Sequence, residues 1–484
     1  MKRVKNGISY KKNGFTYVSI SGKPYERGYA YGELISEDIK QVKRILNFMI
    51  LNDYGVEWNF FIENCKKYFT PKIKEHFSEF YEEMVGFADG CSKEGVPFTI
   101  DESIAWNNYI TLTEYWFGNM PSDVEKKLKG NMKPGSSAKE GGAQDRCSAF
   151  IATGDWTKDK KILVAHNNFS QFLDGQLAKF VIDINPSSGH RILMLGFPGW
   201  IWSGTDFFVT SKGIIGTETT IGGFIPYENK YPISCRIRQA MQYGNTLDEY
   251  VQILLDGNSG DYANSWLFGD INTNEIMRLE LGLKYYSAEK TSNGFFIGFN
   301  ATYDPRIRNL ECTDTGFDDI RRHQGARRVR IHELVEKNKG KLDVEKAKII
   351  IADHYDVYLN KINKCSRTIC SHYELDNRAF MSDPTRPKPF QPRGAVDGNI
   401  CDTNMAKNMT LLLRWGSSCG TPFYKNKFCD KNKQWDYLRD YLDDRPSEPW
   451  TSFTITNDYK SDNKTIKNII KKNKTKKNIS KIYE

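Results

Sequence analysis

One stretch constrains the fold more than any other: Cys147-Ser148-Ala149-Phe150-Ile151-Ala152-Thr153-Gly154, followed after a polar segment by Ile162-Leu163-Val164-Ala165-His166-Asn167-Asn168-Phe169. Two apolar runs, 149–152 and 162–165, flank a segment rich in turn formers. That pattern predicts a β-hairpin with Cys147 at the start of its first strand. Residues 134–146 mix Pro, Gly, Ser and charge without apolar periodicity, so a loop is expected to end at Arg146. A cysteine at such a seam has two readings. It is a buried structural thiol, since free Cys is among the most buried residue types. Or it is a nucleophile released by cleavage of the Arg146–Cys147 bond. In that case its new α-amino group, with a reference pKa of roughly 7.7–8.0, acts as the base for the thiol, and no histidine is needed.

The motif and its surroundings resemble the autoproteolytic N-terminal-nucleophile (Ntn) acyltransferase/hydrolase family, which includes isopenicillin N acyltransferase and the phospholipase B-like proteins. The resemblance rests on Cys-Ser-Ala-Phe-Ile-Ala-Thr-Gly, on Ala165-His166-Asn167-Asn168 and on the stretch from Gly189 to Phe208. It continues through Gly213-Ile-Ile-Gly-Thr-Glu-Thr-Thr-Ile-Gly222, Tyr262-Ala-Asn-Ser-Trp-Leu-Phe-Gly-Asp270, Arg367-Thr-Ile-Cys-Ser-His372 and Pro392-Arg-Gly-Ala-Val-Asp-Gly398. It departs at Phe169, where many relatives carry Trp, and at Arg146, a bulky residue before the scissile bond. The resemblance implies an α+β fold, a four-layer αββα sandwich. It also implies a chain cut at Arg146–Cys147 whose two parts stay associated, and an amide or ester acyl bond cleaved or transferred through an acyl-cysteine at Cys147. A phospholipase B-like lipid acyl-ester hydrolase and a catalytically silent relative with a structural or binding role are the alternatives. The substrate class is a small acyl amide or ester, and no cofactor is implied.

Periodicity alone orders the rest. Residues 17–21 alternate as a short strand, and a helix opens at Pro24, a permitted early helical position. Its apolar residues Ile39, Val42, Ile45, Leu46 and Met49 keep helical spacing. Residues 57–118 are expected to be mainly helical. Strands are expected at 180–184, 191–195, 207–210 and 214–220, helices at 233–243 and 247–255, and strands at 266–270, 276–281, 285–290 and 295–299. Helices at 326–336 and 344–351 follow. The domain reading is a mainly helical segment 1–146, a catalytic domain 147–456 and a basic, disordered tail 457–484. The net charge of +9 sits mostly in that tail: nine Lys against Asp462 and Glu484 from residue 460 onward. The basic balance therefore reads as a solvated tail, with weak contact to nucleic acid or an anionic surface as the alternative.

Candidate site residues follow from place and resemblance. Asn300, at a strand end in Gly-Phe-Asn-Ala-Thr, resembles the superfamily's oxyanion-hole asparagine, and the bland alternative is a turn residue. Arg327 resembles its active-site arginine, with Arg328 as a competitor and a surface helix arginine as the alternative. His166 and Asn168 lie across the hairpin from Cys147 and read as substrate-side groups or as a structural polar pair. Thr219 and Thr220 resemble a substrate-side motif of the phospholipase B-like relatives. Phe169, Phe172, Trp200 and Trp202 suit an apolar acyl group or core packing equally. A Cys–His dyad using His190, His323, His332, His354 or His372 predicts an uncut chain and lacks local cysteine-protease signatures.

Other chemistries find less support. Cys365-x4-Cys370-x-His372 offers three metal ligands where a closed zinc site takes four, so no metal site is read. The glycines Gly22, Gly28 and Gly32 lack the strand and Lys-Ser/Thr context of a phosphate loop. No run of 18 apolar residues exists, and the opening Met1–Lys12 lacks an apolar signal core, so neither a membrane span nor a cleaved signal is expected. Ten cysteines without regular spacing suggest free thiols and favour a cytoplasmic setting.

Overall fold

The strand Cys147–Thr153 is buried along its whole length, and its alternate side chains enter two different cores. Ala149 and Ile151 face a layer shared with a second sheet, whereas Phe150 and Ala152 face helices. A strand buried on both sides reads as a continuous apolar run, which is what residues 149–152 show. The computed structural model describes residues 1–129, 147–313, 316–378 and 388–456. Arg146 and the basic tail 457–484 lie outside the described residues.

The ten-stranded sheet runs in the spatial order Lys2–Val4, Gly7–Lys12, Phe15–Gly22, Phe180–Pro186, Ile192–Gly196, Phe207–Thr210, Ile214–Thr220, Asn264–Asp270, Glu275–Leu281, Tyr286–Thr291. All neighbours pair antiparallel except Phe15–Gly22 and Phe180–Pro186, which are parallel. A seven-stranded sheet holds Gly294–Gly298, Cys147–Thr153, Leu163–Gln171, Asp397–Asp402, Thr410–Trp415 and Thr451–Thr454 in that order, with Arg393–Ala395 also paired to Leu163–Gln171. The two sheets face each other across Val181, Leu193, Leu195, Val209, Ile215 and Leu267 on one side and Ala149, Ile151, Val164, Leu411 and Leu413 on the other. Helices Pro24–Tyr54, Ser78–Lys93 and Ile233–Tyr243 cover the outer face of the large sheet. Helices His323–Lys337 and Val344–Ile351 cover the outer face of the smaller one. The result is the expected α+β, four-layer αββα sandwich.

Residues 1–129 contribute strands as well as helices, and the parallel pairing ties them into the sheet of the later chain. The glycines near the start have a packing role. A Cβ at Gly28 would come within 1.9 Å of the Glu83 carbonyl oxygen, and one at Gly32 within 2.2 Å of the Phe87 oxygen. Gly86 and Gly90 on the facing helix are crowded in the same way by Tyr25 and Tyr29. Helices Pro24–Tyr54 and Ser78–Lys93 therefore touch backbone to backbone, and any side chain at these positions would part them.

Candidate active site

Cys147 begins its strand fully buried, paired with Asn168 across the hairpin, while Ala149 pairs with His166. Alternation puts Cys147, His166 and Asn168 on the face between the two sheets. The Cys147 sulfur lies 3.9 Å from Asn168 Oδ1. It also stands within 4.8 Å of carboxylate oxygens of Asp206 and Glu218, which reach it from the opposite sheet and the turn before it. Tyr262 ties those two acids together, its hydroxyl 2.5 Å from Asp206 Oδ2 and 2.8 Å from Glu218 Oε1. One hydroxyl has one proton, so donating to one acid leaves the other contact to a protonated carboxyl.

The main chain of Cys147 is held separately from its thiol. Its N–H donates to Asn300 Oδ1 at 3.2 Å, and its carbonyl oxygen accepts from Arg327 Nη1. Arg327 Nη2 donates to the same Asn300 oxygen at 2.8 Å, and its Nη1 to Ser148 Oγ at 3.1 Å. The arginine is fully buried, anchored by Nε to the His323 carbonyl at 3.0 Å, with its guanidinium over the Phe169 ring at 4.8 Å. Asn300 sits at φ +65°, a left-handed conformation that asparagine tolerates better than most residues. Asp206 and Tyr262 share that region at φ +63° and +53°. Three strained residues around one thiol mark a place where local geometry is enforced by the surroundings.

The expected residues thus gather, though not all in their expected postures. Asn300 meets Cys147 through its carbonyl oxygen, and its Nδ2 donates to the Thr220 carbonyl at 2.8 Å. Arg328, the competitor of Arg327, turns away to the Phe317 carbonyl and Asp318. His166 is buried and neutral: burial lowers its pKa to about 3, Nδ1 accepts from Asn399 Nδ2 at 3.1 Å, and Nε2 has no hydrogen-bond partner among the described residues. Asn168 N donates to Asp397 Oδ1 at 2.8 Å, and burial lifts that carboxyl to about 8. Thr219 and Thr220 are buried at the end of Ile214–Thr220, and Thr219 packs so close to Gly298 that a Cβ there would meet it at 2.5 Å. The aromatic side chains Phe172, Trp200 and Trp202 belong to the helix–sheet core, the two indoles stacked at 4.8 Å. Of the histidines proposed for a dyad, His190 bonds Asn245, His332 faces Glu336, and His372 meets the sulfurs of Cys370 and Cys419.

Sequence reasoning missed Asp206, Glu218 and Tyr262. Glu218 carried a readable signal, a carboxylate inside a strand of otherwise uncharged residues, 214–220. A charge there is costly unless it is partnered or functional.

No protein-family model matches the chain. Phospholipase B-like 3 of Caenorhabditis elegans is 31% identical over 157 residues, 30% of this chain and 26% of the relative. Phospholipase B-like 2 of Rattus norvegicus is 31% identical over 339 residues, 61% of this chain and 56% of the relative. The matches therefore span about a quarter to just over half of these curated relatives. Among solved structures, a mutant conjugated bile acid hydrolase from Clostridium perfringens superposes with a TM-score of 0.32 at 12% identity, over 55% of this chain and 88% of that one. Among the described residues, no helix is long and apolar enough to cross a membrane. In sequence the chain is similar over part of its length to the phospholipase B-like proteins, and its fold is a four-layer αββα sandwich.

Proposed function

We propose that the chain is an acyl hydrolase of the Ntn type that matures by cutting its own Arg146–Cys147 bond and then uses Cys147 as its nucleophile. The observation that carries this reading is the double hold on Cys147: its nitrogen on Asn300 and its carbonyl on Arg327, at the first residue of a buried strand. A structural cysteine needs neither. A residue whose amide nitrogen becomes a catalytic amine needs both, because the amine must stay beside the thiol after the chain is cut.

In the first step the Cys147 sulfur attacks the Arg146 carbonyl carbon, and the C–N bond to Cys147 breaks. The thiol proton passes to the Asp206–Glu218–Tyr262 cluster, and the same cluster returns a proton to the departing nitrogen. Water then hydrolyses the thioester, leaving a carboxylate on Arg146 and a free α-amine on Cys147. In turnover that amine takes the thiol proton, the thiolate attacks the substrate carbonyl, and the amine protonates the leaving group; water, deprotonated by the same amine, then attacks the acyl-cysteine, releasing the acid and returning the proton to the thiol. Asn300 holds the amine by its oxygen. Asn168 Oδ1, 3.9 Å from the sulfur, accepts from the thiol and orients it before attack.

The substrate class is an acyl amide or ester, with a phospholipid acyl ester favoured by the phospholipase B-like relatives. Reaction of purified protein with an activated acyl ester tests the covalent step: a burst of one acyl group per chain, carried on Cys147 by peptide mapping, is expected. Turnover without acylation of Cys147 would exclude it.

A further inference from the structure

On the far side of the nucleophile strand, four side chains from three segments converge: His354, Cys370 with His372, and Cys419. Their ligand atoms all lie within 4.8 Å of one another. His372 Nε2 stands 3.5 Å from the Cys370 sulfur and 3.4 Å from the Cys419 sulfur. The imidazoles of His354 and His372 lie with centroids 5.1 Å apart, and His354 shares a side-chain hydrogen bond with Cys419. Cys365, which the sequence spacing grouped with Cys370 and His372, points elsewhere, its sulfur 3.5 Å from Asp356 Oδ2.

We propose that Cys370, Cys419, His354 and His372 form a closed Cys2His2 site for a zinc-type divalent cation, which fastens the 365–372 and 416–421 segments behind the catalytic strand. The donor set is the nitrogen and sulfur mixture that tetrahedral zinc takes, and four ligands close the site. With Zn–S near 2.3 Å and Zn–N near 2.05 Å, a tetrahedron puts sulfur and nitrogen roughly 3.6 Å apart. The two nitrogen–sulfur distances observed are close to that edge. His372 also has the outer partner that zinc-bound imidazoles usually carry: its Nδ1 contacts Glu374 Oε1 at 2.7 Å, which turns Nε2 toward the sulfurs.

Neighbouring contacts show what the site would brace. Ile369, next to Cys370, accepts at its carbonyl from Ser148 Oγ and from Asn167 Nδ2, both at 3.2 Å. Ser418, next to Cys419, also takes Asn167 Nδ2 at 3.2 Å and donates to the Ile351 carbonyl at 2.6 Å. Ser148 follows the nucleophile and Asn167 precedes Asn168, so both ligand-bearing segments press on the catalytic hairpin.

Elemental analysis of the full-length protein, purified under reductant and then equilibrated with Zn²⁺ and desalted, tests the proposal directly. About one zinc per chain is expected, falling to about a tenth or less in Cys419→Ser and in His354→Ala. Replacement by Co²⁺ is expected to give the visible absorption of a tetrahedral thiolate site, lost in the same variants. Should a variant fail to fold, the wild-type metal content and cobalt spectrum still decide. Wild-type protein that retains no stoichiometric metal after this treatment would overturn the proposal. So would a Cys370–Cys419 disulfide that persists in reductant, or a metal-free protein whose Cys419 is acylated by substrate with His372 as its base.

Discussion

Arg327 Nη2 and Asn300 Oδ1 meet at 2.8 Å, and through that contact the two side chains grip opposite ends of one residue, Cys147. The Asn300 oxygen accepts from both the guanidinium and the Cys147 N–H, so the arginine fixes the asparagine that fixes the nitrogen. Lysine has no planar fork to reach the carbonyl, the hydroxyl of Ser148 and Asn300 together. Arg327→Lys is therefore expected to fold but to cut at least ~100-fold more slowly, read as the fraction of cut chain against time. Wild-type cutting in that variant would remove Arg327 from the mechanism.

Cys147→Ala is expected to give a folded, uncut and inactive chain. Cys147→Ser is expected to cut slowly, because a hydroxyl is a weaker but competent nucleophile. Normal processing of the Ala variant, followed by denaturing electrophoresis, would mean that another protease makes the cut.

The Tyr262 bridge gives a test by double substitution. Tyr262→Phe leaves Asp206 and Glu218 facing each other without the hydroxyl, and a loss of about 1–3 kcal/mol in stability is expected for the stranded polar groups. Adding Glu218→Gln replaces one of the two carboxyls with a neutral amide and is expected to recover part of that loss. Denaturant unfolding of both singles and the double gives the coupling between them. Strict additivity would show that the bridge does not act as a unit.

Much of the site could be read from the chain, and the parts that could not share a cause. Strand 214–220 and helices 233–243, 247–255 and 344–351 stand where apolar periodicity put them, because each has one consistent buried pattern. Cys147 and Asn168 were singled out by the hairpin motif, Asn300 and Arg327 by the family resemblance, and the fold brings the four together. Asp206, Glu218 and Tyr262 come from three separate turns and strands of the large sheet, and only sheet-on-sheet packing makes them neighbours. The contact made by Asn300 was also unreadable, since the end of the amide that faces Cys147 is set by partners distant in sequence: the Cys147 N–H and Arg327 Nη2 on its oxygen, and the Thr220 carbonyl on its Nδ2. His354 and Cys419 lie far along the chain from Cys370 and His372, so spacing alone left that cluster incomplete.

Asp397 makes stability depend on pH with a definite sign. Burial raises its carboxyl from an ordinary value of 3.8 to about 8, against the hydrogen bonds from Asn168 N and Asn399. Between roughly pH 4 and 8 the folded chain keeps a proton that the unfolded chain releases. Its contribution to stability is thus full below pH ~4, lost progressively up to about 8, and level above. Asp397→Asn keeps an oxygen for the Asn168 N–H without titrating. Its melting temperature relative to wild type is expected to rise with pH over this window and then flatten. Parallel melting curves from pH 4 to 9 would contradict the assignment.

The base assignment separates the two kinds of cysteine enzyme. If the Cys147 α-amine is the base, the acidic limb of kcat/KM falls near neutrality as a coupled amine–thiol titration, and it survives His190→Ala, His323→Ala and His332→Ala. Loss of turnover by about three orders of magnitude in one such variant that folds and is cut would instead identify a Cys–His pair.

The cut itself tests the central claim most directly. Intact-mass analysis of freshly purified protein, without added protease, is expected to give two chains covering residues 1–146 and 147–484, the second beginning Cys-Ser-Ala-Phe, which co-elute until denatured. A single uncut chain after prolonged incubation, in protein that is folded and hydrolyses an acyl ester, would contradict the account.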